Sequence, residues 1–153
     1  MSDLGALTED GDDLGIDIQK IDHLGIAVRR IDDDLPMYRG ILGLVPGGEY
    51  VVADQKVKAA FLKVGESTLE LLEPTDPEST IARFLERRGP GMHHIAYRVA
   101  DIERELARLL DDGVALLDRT PRVGAGEALI AFLHPKATGG VLTELVQRDH
   151  EHV

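Results

Sequence analysis

The sequence predicts an α+β fold made of two tandem copies of one βαβββ unit. When the 153-residue chain is aligned with itself, residues 23–28 (HLGIAV) fall on residues 94–99 (HIAYRV), and residues 61–62 fall on residues 132–133. A later apolar segment of each copy carries a glutamate, Glu70 in the first and Glu144 in the second. An internal repeat indicates one structural unit used twice. We therefore expect a single site at the junction of the two copies.

Composition narrows the classes of function before any motif is considered. The chain has no cysteine, so a metal would be held by nitrogen and oxygen donors. Its formal net charge of -11 leaves no basic footprint for nucleic acid. Residues 1–18 are rich in acids and lack Lys and Arg, which predicts a disordered tail before a folded domain at residues 19–150. No segment resembles a leader or a membrane span, so we expect a cytoplasmic protein.

The first unit, residues 19–74, begins with a strand that carries His23. A helix follows, because Ile31, Leu35, Tyr38 and Leu42 recur at helical spacing after a run of aspartates suited to a helix N-terminus. Three strands complete the unit. The predicted elements are a strand at 19–28, a helix at 31–42, and strands at 45–52, 57–64 and 69–72.

A linking helix at residues 77–88 is predicted to begin with Pro77 in the first helical position and to end before Gly89. The second unit, residues 92–147, then repeats the first. Its predicted elements are a strand at 92–99, a helix at 101–112, and strands at 114–117, 127–133 and 141–146. The segment 119–126 contains Pro and Gly and is expected to form a mobile loop over a site.

The two histidines are predicted to face a space lined by small residues. Alternate residues of a strand point to the same face, so His23 shares a face with Gly25, and His94 shares one with Ala96. His93 is expected to point to the opposite face and to have a structural role.

Each candidate residue taken alone has an ordinary explanation. A strand glutamate usually lies on the solvated face of an antiparallel sheet, and a lone histidine is usually a partly buried structural residue. The repeat changes this, because it places four such residues at equivalent positions of two sheets that must pack together around a cleft. Two imidazoles and two carboxylates suit an octahedral divalent ion with two open positions. The predicted metal ligands are His23, Glu70, His94 and Glu144.

Several segments together carry a resemblance to a known family. They are residues 21–28 (IDHLGIAV), 69–74 (LELLEP), 91–96 (GMHHIA), 132–136 (FLHPK) and 140–146 (GVLTELV). With these segments the chain resembles the vicinal oxygen chelate (glyoxalase-like) superfamily and, within it, the methylmalonyl-CoA epimerases. The resemblance covers residues 19–147 and implies paired βαβββ units whose curved sheet forms a metal cleft.

The resemblance also implies a reaction and its participants. The expected reaction interconverts (R)- and (S)-methylmalonyl-CoA by metal-assisted removal of the α-proton through an enolate. It implies an acyl-CoA substrate and one divalent ion per subunit, with Co²⁺ first and Mn²⁺, Ni²⁺ or Zn²⁺ as alternatives. Glu144 matches a family glutamate that acts as an acid/base beside the metal. Pairing of half-domains through sheet edges predicts a homodimer.

One position departs from part of the family. Some epimerases carry a second glutamate where alignment through Gln55 places Ala59, and alanine cannot transfer a proton. Lys136, His134 and Glu127 are possible substitutes by position alone.

Two other functions stay open at this point. A glyoxalase I-like isomerase of hemithioacetals would use the same four ligands. A metal-free small-molecule or drug-binding protein of the same fold needs no ligand set, so the four candidate ligands count against it.

Overall fold

An eight-stranded mixed sheet runs through the computed structural model, which describes residues 15–149. The strands are β1 (Ile18–Ala27), β2 (Val45–Val52), β3 (Val57–Val64), β4 (Ser67–Pro74), β5 (Gly91–Val99), β6 (Arg122–Val123), β7 (Leu129–Leu133) and β8 (Thr143–Gln147). Their order across the sheet is β2-β3-β4-β1-β5-β8-β7-β6.

The sheet confirms the predicted repeat. β1 pairs with β4 in parallel, and β5 pairs with β8 in parallel, so the strand order of one unit mirrors that of the other. The units meet where β1 and β5 pair antiparallel. The expectation of two separate sheets packed together was wrong, because backbone hydrogen bonds between β1 and β5 join the halves into one sheet.

Three α-helices accompany the described part of the sheet: α1 (Ile31–Leu35), α2 (Thr80–Arg88) and α3 (Ile102–Asp111). α1 continues as a π-helical segment, Pro36–Ile41, in which the Leu42 N–H donates to the Met37 carbonyl over 2.8 Å. Together they cover the helix predicted at 31–42. None of the helices in residues 15–149 is long and apolar enough to cross a membrane.

The linking helix begins later than predicted, because Ser79 rather than Asp76 caps it. The Ser79 hydroxyl accepts a hydrogen bond from the Ala82 N–H over 2.9 Å, the usual capping contact. Asp76 instead accepts from the Glu78 N–H over 2.8 Å and forms a turn ahead of the helix.

The second unit departs from prediction after α3. The predicted strand at 114–117 is wrong, since only a single bridge joins Leu116 to Leu133. The Asp118 carboxylate accepts a hydrogen bond from the Phe132 N–H over 2.9 Å and thereby replaces a backbone partner. The predicted strand at 127–133 begins only at Leu129, because Ala125–Glu127 forms a 3₁₀ turn.

The boundary of the predicted tail also shifts. Residues 1–14 lie outside the described part of the chain. Ile16 packs against the buried cluster that includes Val99 and Ile102, and Asp17 lies 3.3 Å from Arg104. β1 begins at Ile18, so residues 16–18 of the predicted 1–18 tail contact the domain.

α1 and α3 bury one face of the sheet and leave the polar candidates on the other, where Ile81 and Leu85 of α2 also pack. Ile31 of α1 packs with Leu62 and Leu71, and Ile102 of α3 packs in the same way with Leu145. Side chains alternate along a strand, so Glu70 and Glu144, which precede these leucines, point to the opposite, concave face. Both glutamates are buried there, so the usual solvent-facing role of strand glutamates does not apply.

Candidate metal centre

Three of the predicted ligands converge on one point of the concave face. The Nε2 atoms of His23 and His94 lie 3.1 Å apart, and each lies 3.0 Å from Oε1 of Glu144. All three side chains are buried. An octahedral ion with bonds of about 2.1 Å has adjacent donors about 3.0 Å apart. The three atoms therefore fit one triangular face of such a coordination shell.

The pairing of β1 with β5 explains how two imidazoles fit side by side. Gly25 lies opposite His94, and Ala96 lies opposite His23. A Cβ atom built at Gly25 would overlap the His94 ring. The small residues that were predicted to make room for a ligand therefore make room for the two histidine side chains.

The two glutamates occupy equivalent places in the repeat. Glu70 pairs with Gly25, two residues after His23, and Glu144 pairs with Ala96, two residues after His94. Their contacts nevertheless differ. Glu70 Oε2 lies 3.2 Å from Nδ1 of His23, on the ring edge away from the cluster. The structure thus brings all four predicted ligands together but places three of them in the cluster.

In the metal-free chain, burial and the charges of neighbouring groups shift the pKa values of His23, Glu70 and Glu144. Burial lowers the pKa of His23, but the carboxylates of Glu70 and Glu144 outweigh it and hold that pKa well above its usual value. Burial raises the pKa of Glu144, yet the charge of His23 and hydrogen bonds from both histidines lower it to about 2. Burial also raises the pKa of Glu70. A protonated His23 therefore holds the carboxylates together when no metal is bound.

Asp22 supports His23 from behind, and sequence analysis missed it. Strand alternation would turn Asp22 away from His23, but a register shift between Ile21 and His23 leaves it as an unpaired bulge residue. Its Oδ2 lies 2.7 Å from Nδ1 of His23. Burial raises the pKa of Asp22, but hydrogen bonds from His23 and Arg148 hold it well below its usual value. Nδ1 of His23 therefore carries a proton, and Nε2 faces the cluster.

Comparison with known proteins places this site in a family. Residues 22–132 match the model of the Glyoxalase/Bleomycin resistance protein/Dioxygenase superfamily. An uncharacterised protein of Bacillus subtilis (strain 168), YqjC, is 42% identical over 130 residues, which are 85% of this chain and 93% of that protein. The ethylmalonyl-CoA/methylmalonyl-CoA epimerase of Cereibacter sphaeroides is 38% identical over 112 residues, covering 72% of this chain and 84% of that enzyme.

A solved structure agrees in fold as well as in sequence. It is a variant of Streptomyces coelicolor methylmalonyl-CoA epimerase in complex with 2-nitronate-propionyl-CoA. It matches with a TM-score of 0.83 and 40% identity over 87% of this chain and 96% of that chain. The chain belongs to the methylmalonyl-CoA epimerase family. The predicted resemblance and the glyoxalase-like fold are therefore confirmed.

In this epimerase-family chain, a cavity of about 430 Å³ adjoins the cluster. Its volume is that of a small-molecule site. The lining includes apolar residues of both units, among them Leu72 and Ile130, and it includes Arg122 and Ala125 of the segment 119–126, which was predicted to form a loop over a site. Because strands from both halves line one space, the sheet curves around it.

His93 lies in this cavity, so its predicted position on the opposite face was wrong. A register shift pairs His94 with Gly25 and Met92 with Ile26, which leaves His93 as the unpaired residue of a bulge. Its Nδ1 lies 2.9 Å from Nδ1 of His94. Burial and the neighbouring His94 lower the pKa of His93 to about 4. His93 is therefore a neutral imidazole behind His94, in the place that Asp22 takes behind His23.

The position of the missing family glutamate also lines the cavity. Ala59 is fully buried and belongs to its wall. The three substitutes considered from sequence, Lys136, His134 and Glu127, do not line it. His134 instead caps a turn, its Nδ1 accepting from the Lys136 N–H over 3.1 Å. None of these three is placed to replace the glutamate.

Proposed function

We propose that this chain interconverts the (R) and (S) epimers of methylmalonyl-CoA. The observation that carries the proposal is the buried cluster of His23, His94 and Glu144 at the wall of a cavity. The epimerases named above, with which the chain shares its fold and family, support the acyl-CoA substrate. Assembly into a homodimer and a cytoplasmic location stay predictions.

We also propose that one divalent ion is held by His23, His94 and Glu144, with Glu70 as the fourth ligand. Three mutually adjacent donors support the first part, and the equivalent places of Glu70 and Glu144 in the repeat support the second. Co²⁺ is the ion we expect first, since nitrogen and oxygen donors in octahedral arrangement suit it. When bound, the ion would supply Lewis-acid stabilisation of negative charge developing on the thioester oxygen.

Glu144 is the proposed acid/base. Its Oε1 makes the contacts with the two imidazoles, whereas Oε2 forms no hydrogen bond or ion pair within residues 15–149. A glutamate carboxylate is ionised at neutral pH, so Oε2 can accept a proton. The α C–H bond then breaks, the proton moves to Oε2, the electron pair forms a double bond between the α-carbon and the thioester carbon, and the carbonyl oxygen takes the negative charge of the enolate. A water molecule bound on the other side of the α-carbon protonates it and gives the second epimer, and Oε2 returns its proton to the hydroxide that is left.

The cavity wall would assist by excluding water and holding the acyl-CoA. Leu72, Ile81 and Phe132 line it near the cluster, and a dry site strengthens every charge interaction within it. Lys56 and Arg83 also line the cavity and can pair with phosphates of the CoA moiety.

Isotope exchange tests this function directly. Each epimer of methylmalonyl-CoA is incubated with the metal-loaded chain in D₂O, and deuterium at the α-carbon and conversion to the other epimer are measured. We expect both, and we expect Glu144→Gln to abolish both, with metal content measured in parallel. Exchange of one epimer without formation of the other would contradict an epimerase. Full activity after exhaustive chelation would contradict the metal centre.

A further inference from the structure

A buried charge cluster behind His23 has no part in the function proposed so far. The Asp22 carboxylate is surrounded by two arginines and one imidazole. Arg98 Nε donates to Oδ1 over 2.9 Å. Arg148 donates from Nε to Oδ1 over 3.0 Å and from Nη2 to Oδ2 over 2.8 Å. Arg98 Nη2 also lies 2.8 Å from Oδ1, so Oδ1 is contacted by both arginines and Oδ2 by Arg148 and His23.

The members of this cluster come from different parts of the sheet. Asp22 lies on β1, Arg98 on β5, and Arg148 directly after β8, the strand that carries Glu144. The side chain of Asp22 is 1% exposed and that of Arg148 is 8% exposed. A guanidinium that donates one hydrogen bond to each oxygen of a carboxylate fixes the plane of that carboxylate. Arg148 thereby fixes the group that orients the His23 ring.

Within residues 15–149, no carboxylate supports the second histidine in this way. Nδ1 of His94 instead contacts Nδ1 of His93 at the equivalent place. A histidine whose second nitrogen donates to a carboxylate is a stronger and better oriented ligand than one without that partner. The two halves of the repeat therefore present two unequal imidazoles to the same point.

We propose that Arg148 is a positioning residue that acts through Asp22 to orient His23 and so strengthens metal binding at the cluster. The proposal rests on the metal centre proposed above. Arg148 also lines the cavity, so a direct effect on the ion or on a bound acyl-CoA is the competing explanation. The two explanations differ in whether the effect of Arg148 on metal binding requires Asp22.

A double-mutant cycle in the absence of substrate separates them. Co²⁺ affinity is measured by calorimetry for the wild type, Arg148→Gln, Asp22→Asn and the double variant. We expect each single variant to bind Co²⁺ about 10- to 100-fold more weakly. The double variant should bind no more weakly than Asp22→Asn alone, because Arg148 then has nothing to position. Additive losses would overturn the proposal, as would an affinity of Arg148→Gln equal to that of the wild type.

Matched variants keep the result interpretable. Arg148→Lys should bind Co²⁺ with an affinity between those of Arg148→Gln and the wild type, since an ammonium cannot donate to both carboxylate oxygens in one plane. The control is Arg104→Gln, which removes an exposed arginine of α3, the helix on the opposite face of the sheet, in an ion pair with Asp17. The visible spectrum of bound Co²⁺ should change in Asp22→Asn and not in Arg104→Gln. If Arg148→Gln does not fold, the double variant still tests the claim, because it removes both charges together and must bind Co²⁺ no more weakly than Asp22→Asn.

These measurements separate failure of this inference from failure of the proposed function. A wild-type chain that binds no divalent ion contradicts the metal centre itself. A wild-type chain that binds Co²⁺ and does not epimerise contradicts the function and leaves the positioning role standing.

Discussion

Gly25 and His94 face each other across the β1–β5 pair so closely that the histidine ring occupies the space of a Gly25 side chain. The site therefore depends on a residue that has no side chain. The contact is with a ring rather than with a flexible chain end, so the histidine would have to move as a whole.

Gly25→Ala should displace His94 and separate it from His23 and Glu144. A displacement of about 1 Å at a reacting centre can cost about 100-fold in rate, and we expect a loss of that order together with weaker metal binding. Metal titration and turnover measure it. Gly91→Ala is the control, since a Cβ there meets nothing within 4 Å. Unchanged metal affinity in Gly25→Ala would show that the ring moves without consequence.

His94→Ala should lose metal and activity together, because it removes one of the three clustered donors. His93→Ala should keep the metal and mainly perturb the packing of His93 against Phe84 and His94. Elemental analysis after gel filtration, with turnover on the same samples, compares the two variants. A His93→Ala protein as metal-free as His94→Ala would make His93 necessary for the centre.

Metal affinity should rise with pH because His23 holds a proton in the metal-free chain. The pKa of His23 is raised in the folded chain. The protonated form therefore stabilises the fold fully at pH values below the pKa of the unfolded chain, near 6.5. This contribution to stability is lost as the pH rises through the pKa of the folded chain. A metal ion must displace this proton. Calorimetry in buffers of different ionisation enthalpy should detect its release at neutral pH. No release there would contradict a protonated His23.

Ala59→Glu should restore a proton-transfer group to the cavity wall. If proton transfer at that side limits turnover, the variant should react faster than the wild type. Ala59→Gln is the control, with the same size and no acid. Adding bulk to this packed position should lower stability by about 1–3 kcal/mol in both variants. Equal turnover of the two would show that a different group already serves that side.

Deleting residues 1–14 should leave folding and turnover intact, because their composition is poor in groups that build a core. Deleting residues 1–17 should lower the stability of the fold further, since Ile16 packs against the buried cluster under α3 and Asp17 pairs with Arg104. Thermal unfolding of the two truncations measures the difference. Loss of turnover on deletion of residues 1–14 alone would show that these residues take part in the site.

The repeat, the strands of the first unit and the four candidate ligands could be read from sequence alone. Alternation along a strand and spacing along a helix are local properties, so the pattern of residues 19–74 was sufficient to place these elements. The equivalence of Glu70 and Glu144 followed from the same pattern, because two copies of one unit place corresponding residues alike.

Only the tertiary structure decided which way Asp22 and His93 point. Both are bulge residues, and a bulge exists only where two strands differ in register, which depends on a partner distant in the chain. The pairing of Arg148 with Asp22 is likewise a contact between the two ends of the domain. Local pattern was thus sufficient to predict the candidate ligands, and long-range register determined which residues contact them.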